Sequence, residues 1–233
     1  MKRFVVVSGT DTGVGKTTIS VALLAAWARR GWTVRPCKPI ETGISDRSVG
    51  TDAARLAEAV GLVESQTAIM RFSLPVAPEA AARAEGQAID PDQLIAQCQQ
   101  LPGDRILIEG AGGLLVPIAP GFVFADLVQA LGASLLVVGR TRLGTINHTL
   151  LTLSEAARRS LPIAGIVLNQ LSDDKGPEDE DNARLIAQHG GLTPLGPFPW
   201  SPQQDAQTLA ALAEQHLPIA QLFAQSFAGA AAV

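Results

Sequence analysis

Cysteine, basic charge and long apolar runs are all scarce in this chain, and each shortage removes a class of protein. Only Cys37 and Cys98 occur among 233 residues, and they form no metal-ligand or disulfide spacing. Both read as small buried hydrophobes. With no signal peptide in view, the expectation is a reducing cytoplasm. Eighteen Lys and Arg face 22 Asp and Glu, the net charge is -4, and no basic block occurs. Nucleic-acid binding through phosphate neutralisation is therefore disfavoured. The longest apolar region, 106–139, is broken by Glu109, Pro117, Pro120, Asp126 and several glycines. No run of about 18 apolar residues is left to span a bilayer. Nor is there a convincing Ser/His/Asp or Cys/His set for nucleophilic catalysis.

What is present is a core. The chain is 47% hydrophobic and 17% charged, which excludes disorder for most of it. Its length suits one large α/β domain over 1–233, with a small-residue tail at 228–233 expected to fray. No repeat or low-complexity linker divides it. The acidic segment 173–181 reads as a solvated loop rather than a metal site.

Residues 4–18, FVVVSGTDTGVGKTT, carry the most information. A short buried strand feeds a glycine-rich turn, and a helix starts near Lys16. Amides of such a loop, with the helix N-terminus, favour phosphate oxygens. The lysine reaches the β/γ-phosphates, and Thr17 offers a hydroxyl to Mg²⁺. The dinucleotide spacing G-x-G-x-x-G fails here. Five residues separate Gly9 from the Gly15-Lys16 pair, one more than the common phosphate loop has.

Downstream, strand-like runs at 4–8, 33–38, 105–109, 134–139 and 163–169 alternate with helical patterns at 17–30, 52–60, 90–100, 124–131, 145–159 and 178–189. Runs such as ILIEG and LLVVG are continuously apolar, which fits strands covered on both faces. The expected fold is α/β of the P-loop NTPase kind, a mostly parallel sheet with helices on both faces. A short run at 114–118 suggests a local extension.

In such sheets the ligand sits beyond the carboxyl ends of the strands. Glu109 ends the third strand and can face the phosphate loop and help to hold Mg²⁺. Asp52 opens a helix and is either a ligand or an ordinary first-turn acid. Lys38 is either a charge-neutralising group or a solvated lysine. The run 110–113 either lets backbone approach a ligand or is a plain turn. Asn169 could read a base edge. Gly196-Pro197-Phe198-Pro199-Trp200 could line a base pocket or merely connect.

The segments GTDTGVGKT, CKPIETG, GTDAARL, IEGAGG, RLGTINH, VLNQ and GPFPW occur in this order between residues 4 and 200. Together they resemble the dethiobiotin synthetases, whose phosphate loop also has the extra residue. The resemblance implies an ATP-dependent ligase that joins CO₂ to 7,8-diaminononanoate and closes a cyclic urea. It implies ATP as co-substrate and Mg²⁺ as the metal. Gly13, Val14, Gly15, Lys16, Thr17 and Thr18 would hold the phosphates, and Thr17, Asp52 and Glu109 the metal. Lys16, Lys38 and Thr12 would serve the chemistry. Thr12, Lys38, Thr42 and the run Glu109, Gly110, Ala111, Gly112, Gly113 would meet the substrate. Asn169 with Pro197, Phe198, Pro199 and Trp200 would hold adenine. Gly144, Thr145, Ile146 and Asn147 would bind the substrate carboxylate across the interface of a homodimer. Some members carry glutamate where this chain has Gly13, which leaves open what orients the amines. The competing readings are an ATPase switch of the partition or septum-site type and a glutamine-using amide synthetase. The switches tend to carry a second loop lysine, where Thr10 and Asp11 stand here, and a basic membrane helix. The amide synthetases add a glutaminase domain.

Overall fold

The computed structural model describes residues 2–44, 50–173, 176 and 178–222. The expected tail at 228–233 lies outside them. The chain begins β1 (Arg3–Gly9), α1 (Lys16–Arg29), β2 (Arg35–Glu41), α2 (Asp52–Glu58), β3 (Ala68–Arg71), α3 (Pro78–Ala84) and α4 (Pro91–Gln100). It continues β4 (Arg105–Gly113), β5 (Pro117–Ala119), β6 (Phe122–Val123), α5 (Phe124–Ala130), β7 (Ser134–Arg140) and α6 (Thr145–Arg158). It closes with β8 (Ile163–Asn169), α7 (Glu178–Gly190), β9 (Leu195–Phe198) and α8 (Ala206–His216).

Seven strands form one sheet in the order β3-β2-β4-β1-β7-β8-β9, and every pairing in it is parallel. β5 and β6 make a small antiparallel pair beside it. Side chains alternate across a strand, so continuous apolar runs feed two cores. Phe4 and Val6 of β1 join Ile106 and Ile108 under α3 to α7. Val5 and Val7 join Leu107, Leu136 and Val138 under α1, α2 and α8. Trp27 is wholly buried in that second core, and its indole N–H donates to the Ile219 carbonyl at 2.7 Å.

Two strands differ from expectation in ways that shape the site. β2 runs to Glu41, beyond the expected end at residue 38. It pairs with β4 only through Arg35–Cys37 and with β3 from Lys38 onward. β2 thus changes partner just as it reaches the ligand edge. Its Pro36 and Pro39, which cannot donate to a ladder, are accommodated where the pairing changes. β4 also continues past Glu109, through the glycines to Gly113, where it pairs with Gly9. A Cβ at Gly110 would stand 2.5 Å from the Phe124 ring, so only glycine lets the strand continue there.

Candidate active site

The loop between β1 and α1 lies at the carboxyl edge of the sheet. Gly15 precedes α1 in the left-handed region, φ 89°, and no side chain caps the helix start. Its first amides are left for a ligand. A Cβ on Gly15 would strike the Asn169 amide at 2.0 Å. Asn169 is buried beneath the loop, where its Nδ2 donates to the Val14 carbonyl at 3.0 Å and its Oδ1 has no partner. Lys16 Nζ donates to the Asp11 carbonyl at 3.3 Å. Burial presses its ammonium below the ordinary lysine range, with Glu109 working against the shift.

Opposite this loop stands a compact charged group. Lys38, 3% exposed, places Nζ 2.8 Å from Asp52 Oδ2 and 2.7 Å from Glu109 Oε1. Thr17 Oγ1 lies 2.8 Å from Asp52 Oδ1 and 2.9 Å from Glu109 Oε1, and its one proton can serve either carboxylate. Burial opposes the Lys38 charge, but Glu109 and Asp52 outweigh it and hold the ammonium above its ordinary range. Burial likewise opposes the Asp52 charge, yet Lys38 and the Thr17 hydroxyl hold that carboxyl below the usual range. Thus β2, β4 and the starts of α1 and α2 each deliver one polar group to one spot.

Fit to a metal can be judged from the donors. Thr17, Asp52 and Glu109 supply hard oxygens, and Glu109 Oε2 is buried without a hydrogen-bond partner. That donor chemistry suits Mg²⁺. Among the described residues no three His, Cys, Asp or Glu side chains cluster, so a cation here would rely on two carboxylates, a hydroxyl and ligand oxygens.

A cleft of about 580 Å³ opens over these groups. Of the sequence candidates, Thr12, Gly13, Gly15, Lys16, Thr17, Thr18, Lys38, Thr42, Asp52, Ala111 and Gly112 line it. Glu41, Arg55 and the segment 75–78 also line it, and the sequence reading missed all three. Glu41 fell just past the expected strand end at residue 38, within CKPIETG, and drew no role there, while nothing in 75–78 was singled out. Burial raises the Glu41 carboxyl above the ordinary glutamate range, with Lys38 partly offsetting this.

Other candidates lie elsewhere. Gly144, Thr145, Ile146 and Asn147 begin α6 outside the cleft, beside a second depression of about 410 Å³. The two hollows share Thr12 and Val116. Phe198 is wholly buried in the core under α1 and α8. Its side chain therefore supports the 197–200 segment from below, while Trp200 is partly exposed. No helix among the described residues is long and apolar enough to cross a membrane.

A family model described as an AAA domain matches residues 3–208. The ATP-dependent dethiobiotin synthetase BioD of Anaeromyxobacter dehalogenans is 44% identical over 204 residues, covering 86% of this chain and 91% of the relative. Its namesake from Agrobacterium fabrum is 36% identical over 222 residues, covering 94% and 95%. A solved cobyrinic acid a,c-diamide synthase from Mycobacterium smegmatis, with bound ADP and magnesium, shares the fold at TM-score 0.53 and 20% identity, covering 92% of this chain and 93% of its own. With a phosphate loop facing a Lys38–Asp52–Glu109 cluster and such relatives over most of its length, the chain belongs to the ATP-dependent dethiobiotin synthetase family.

Proposed function

We propose that the chain converts 7,8-diaminononanoate, CO₂ and ATP to dethiobiotin, ADP and phosphate. The observation that carries this reading is the convergence of Lys38, Asp52, Glu109 and Thr17 across the cleft from Lys16. One amine attacks CO₂ and loses a proton, giving a carbamate. A carbamate oxygen attacks the γ-phosphorus, ADP leaves, and a carbamic–phosphoric anhydride remains. The second amine attacks the carbonyl carbon, loses its proton and expels phosphate, which closes the urea ring. No covalent enzyme intermediate is needed.

The residues position and stabilise. Amides of Gly13, Val14, Gly15 and Thr18 cradle the phosphates, and Lys16 follows the β/γ-oxygens. Thr17, Asp52 and Glu109 would hold Mg²⁺, which neutralises phosphate charge when bound. Lys38, paired with Asp52 and Glu109, faces the charge that develops on the transferred group. Thr12, Thr42 and the backbone of Gly110, Ala111, Gly112 and Gly113 border the diamine and its carbamate. Asn169 Oδ1 and the segment Pro197, Phe198, Pro199 and Trp200 serve the adenine.

The aliphatic chain of the substrate would pass from the first hollow to the second, along Thr12 and Val116. Its carboxylate would meet the uncapped start of α6, Gly144 to Asn147, in a second copy of the chain. Leu143, 84% exposed, and Leu151, 62% exposed, mark that surface as one that a homodimer would cover. The reading places the enzyme in the cytoplasm, with no nucleic-acid or membrane partner.

Mixing the protein with MgATP, bicarbonate and 7,8-diaminononanoate should yield dethiobiotin and phosphate by mass spectrometry, with ATP consumption dependent on the diamine. ATP hydrolysis that ignores the diamine, without dethiobiotin, overturns the proposal.

A further inference from the structure

The start of α2 has to be held, because Asp52 is its first residue. α2 is only seven residues long, and a helix that short has little stability of its own. Ala53, Leu56 and Ala57 bury one face of it. Its first amides need acceptors, since no earlier turn supplies them. Thr51, the N-cap, accepts from the Ala54 N–H at 3.1 Å and itself donates to Glu64 Oε1 at 2.5 Å. The remaining acceptor comes from another element. Glu41, the last residue of β2, accepts from the Ala53 N–H at 3.3 Å through Oε1. The Asp52 N–H bears on the same carboxylate. Glu41 is buried, and its Oε2 has no partner.

We propose that Glu41 is a positioning residue, which docks the first turn of α2 on the end of β2 and so fixes where Asp52 stands in the cleft. This rests on the metal role of Asp52 proposed above. The arrangement divides the work. Thr17 and Lys38 hold the two side-chain oxygens of Asp52. Those bonds are the ones that a cation would displace or share. The Glu41 contact is to backbone, so it survives when Asp52 turns its oxygens to a metal. Lys38 and Glu41 lie three residues apart on the β2 segment that has left β4 for β3. From that segment Lys38 reaches the Asp52 side chain and Glu41 the backbone beside it. A carboxylate is not required for this contact, because an amide oxygen of the same reach also accepts from a backbone N–H. What is required is an acceptor of that reach.

Three full-length variants test this. Glu41→Met fills the space without an acceptor, Glu41→Asp keeps the charge but shortens the reach, and Glu41→Gln keeps the acceptor without the charge. Calorimetric titration of Mg²⁺ into the ADP-saturated protein should show roughly ten-fold weaker binding for Met and Asp, the size of a typical outer-shell loss. Glu41→Gln should restore wild-type affinity. Amide hydrogen exchange at Asp52 and Ala53, followed without metal or nucleotide, should quicken in Met and Asp but not in Gln. Unchanged Mg²⁺ affinity in Met and Asp overturns the proposal, as does a loss in Gln equal to theirs. If Glu41→Met does not fold, Glu41→Asp and Glu41→Gln decide the matter. Asp52→Asn is the control: if it leaves Mg²⁺ binding intact, the metal role of Asp52 falls. The exchange data still report on the Glu41 anchor in that case, so the two failures are distinguishable.

Discussion

α1 and α6 start alike and are then used differently. Each is 14 residues long, follows a central strand and is preceded by a left-handed glycine, Gly15 at φ 89° and Gly144 at φ 92°. Neither has a side-chain cap, whereas α4 and α8 are capped by Asp90 and Asp205. Missing caps at the ligand edge leave amides and the positive dipole end available to an anion. From there the two helices diverge. α1 is buried along most of its length between the sheet and α8, and its start opens on the cleft of its own chain. α6 buries the stripe Thr145, Thr149, Leu153 and Ala156 and exposes Leu151 on its far side. The carboxylate site proposed at its start thus stands on a helix with an uncovered apolar side, which suits the proposed second copy.

The sharpest way to break this contrast is to disable the α1 site alone. Lys16→Ala should lower dethiobiotin formation by about 10³-fold or more, as loss of a central charge-stabilising group does. Its melting temperature should hold or rise, because a lysine held uncomfortably in a buried position is removed. Near-normal turnover by this variant would sink the phosphate assignment. Next come Asp52→Asn and Glu109→Gln, each expected to cost about 10²-fold in activity and to shift the Mg²⁺ requirement upward. If both variants keep the wild-type Mg²⁺ titration curve, neither carboxylate is a ligand.

That these residues meet at one edge was legible because the loop has fixed spacing and because strand ends converge there; their roles rest on the variants above. The interior strands were legible for a related reason: continuous apolar runs mark strands covered on both faces. The edge elements were not. β3 is four half-buried residues, and β9 contains Gly196 and Pro197; neither offers a run or an alternation, and an edge strand tolerates proline. α3 is mostly alanine after Pro78, so it shows no large-residue period, and α8 was overlooked although Asp205 caps it. Glu41 was invisible as a site residue because the contact of its carboxylate with the start of α2 is a tertiary event that local sequence does not announce.

The α6 side of the comparison is tested by complementation. Asn147 is exposed at the start of α6, and in a shared site it would serve the partner's cleft. Asn147→Ala should therefore impair sites whose own Lys16 is intact. In mixed dimers with Lys16→Ala, one site combines both defects and the other combines two intact halves. Random mixing should then restore about a quarter of wild-type activity, half the dimers having one working site of two. A strictly monomeric protein, or mixtures no better than nearly dead parents, would leave α6 with no role in a neighbour's site.

The smallest effect belongs to the other end of α6, where charge stabilises structure rather than ligand. Glu155 accepts from Arg158 Nε and Nη2, both at 2.7 Å, and from Arg159 Nε at 2.5 Å, while Arg159 Nη1 reaches Asp126 of α5 at 2.5 Å. The bonds from Arg158 and Arg159 draw the Glu155 carboxyl down to about 2. A carboxyl lowered in the folded state stabilises it fully above the unfolded value of about 4.3, and the contribution fades as pH falls through the folded value. The cluster is open to solvent at Arg158, so screening limits its worth. Glu155→Gln should therefore lower the melting temperature by about 2–4 °C at neutral pH. The gap from wild type should narrow between about pH 4.5 and 2, and high salt should shrink it at pH 7. A gap independent of both pH and salt would mean that Glu155 acts by packing, and that the two ends of α6 differ in exposure rather than in the use of charge.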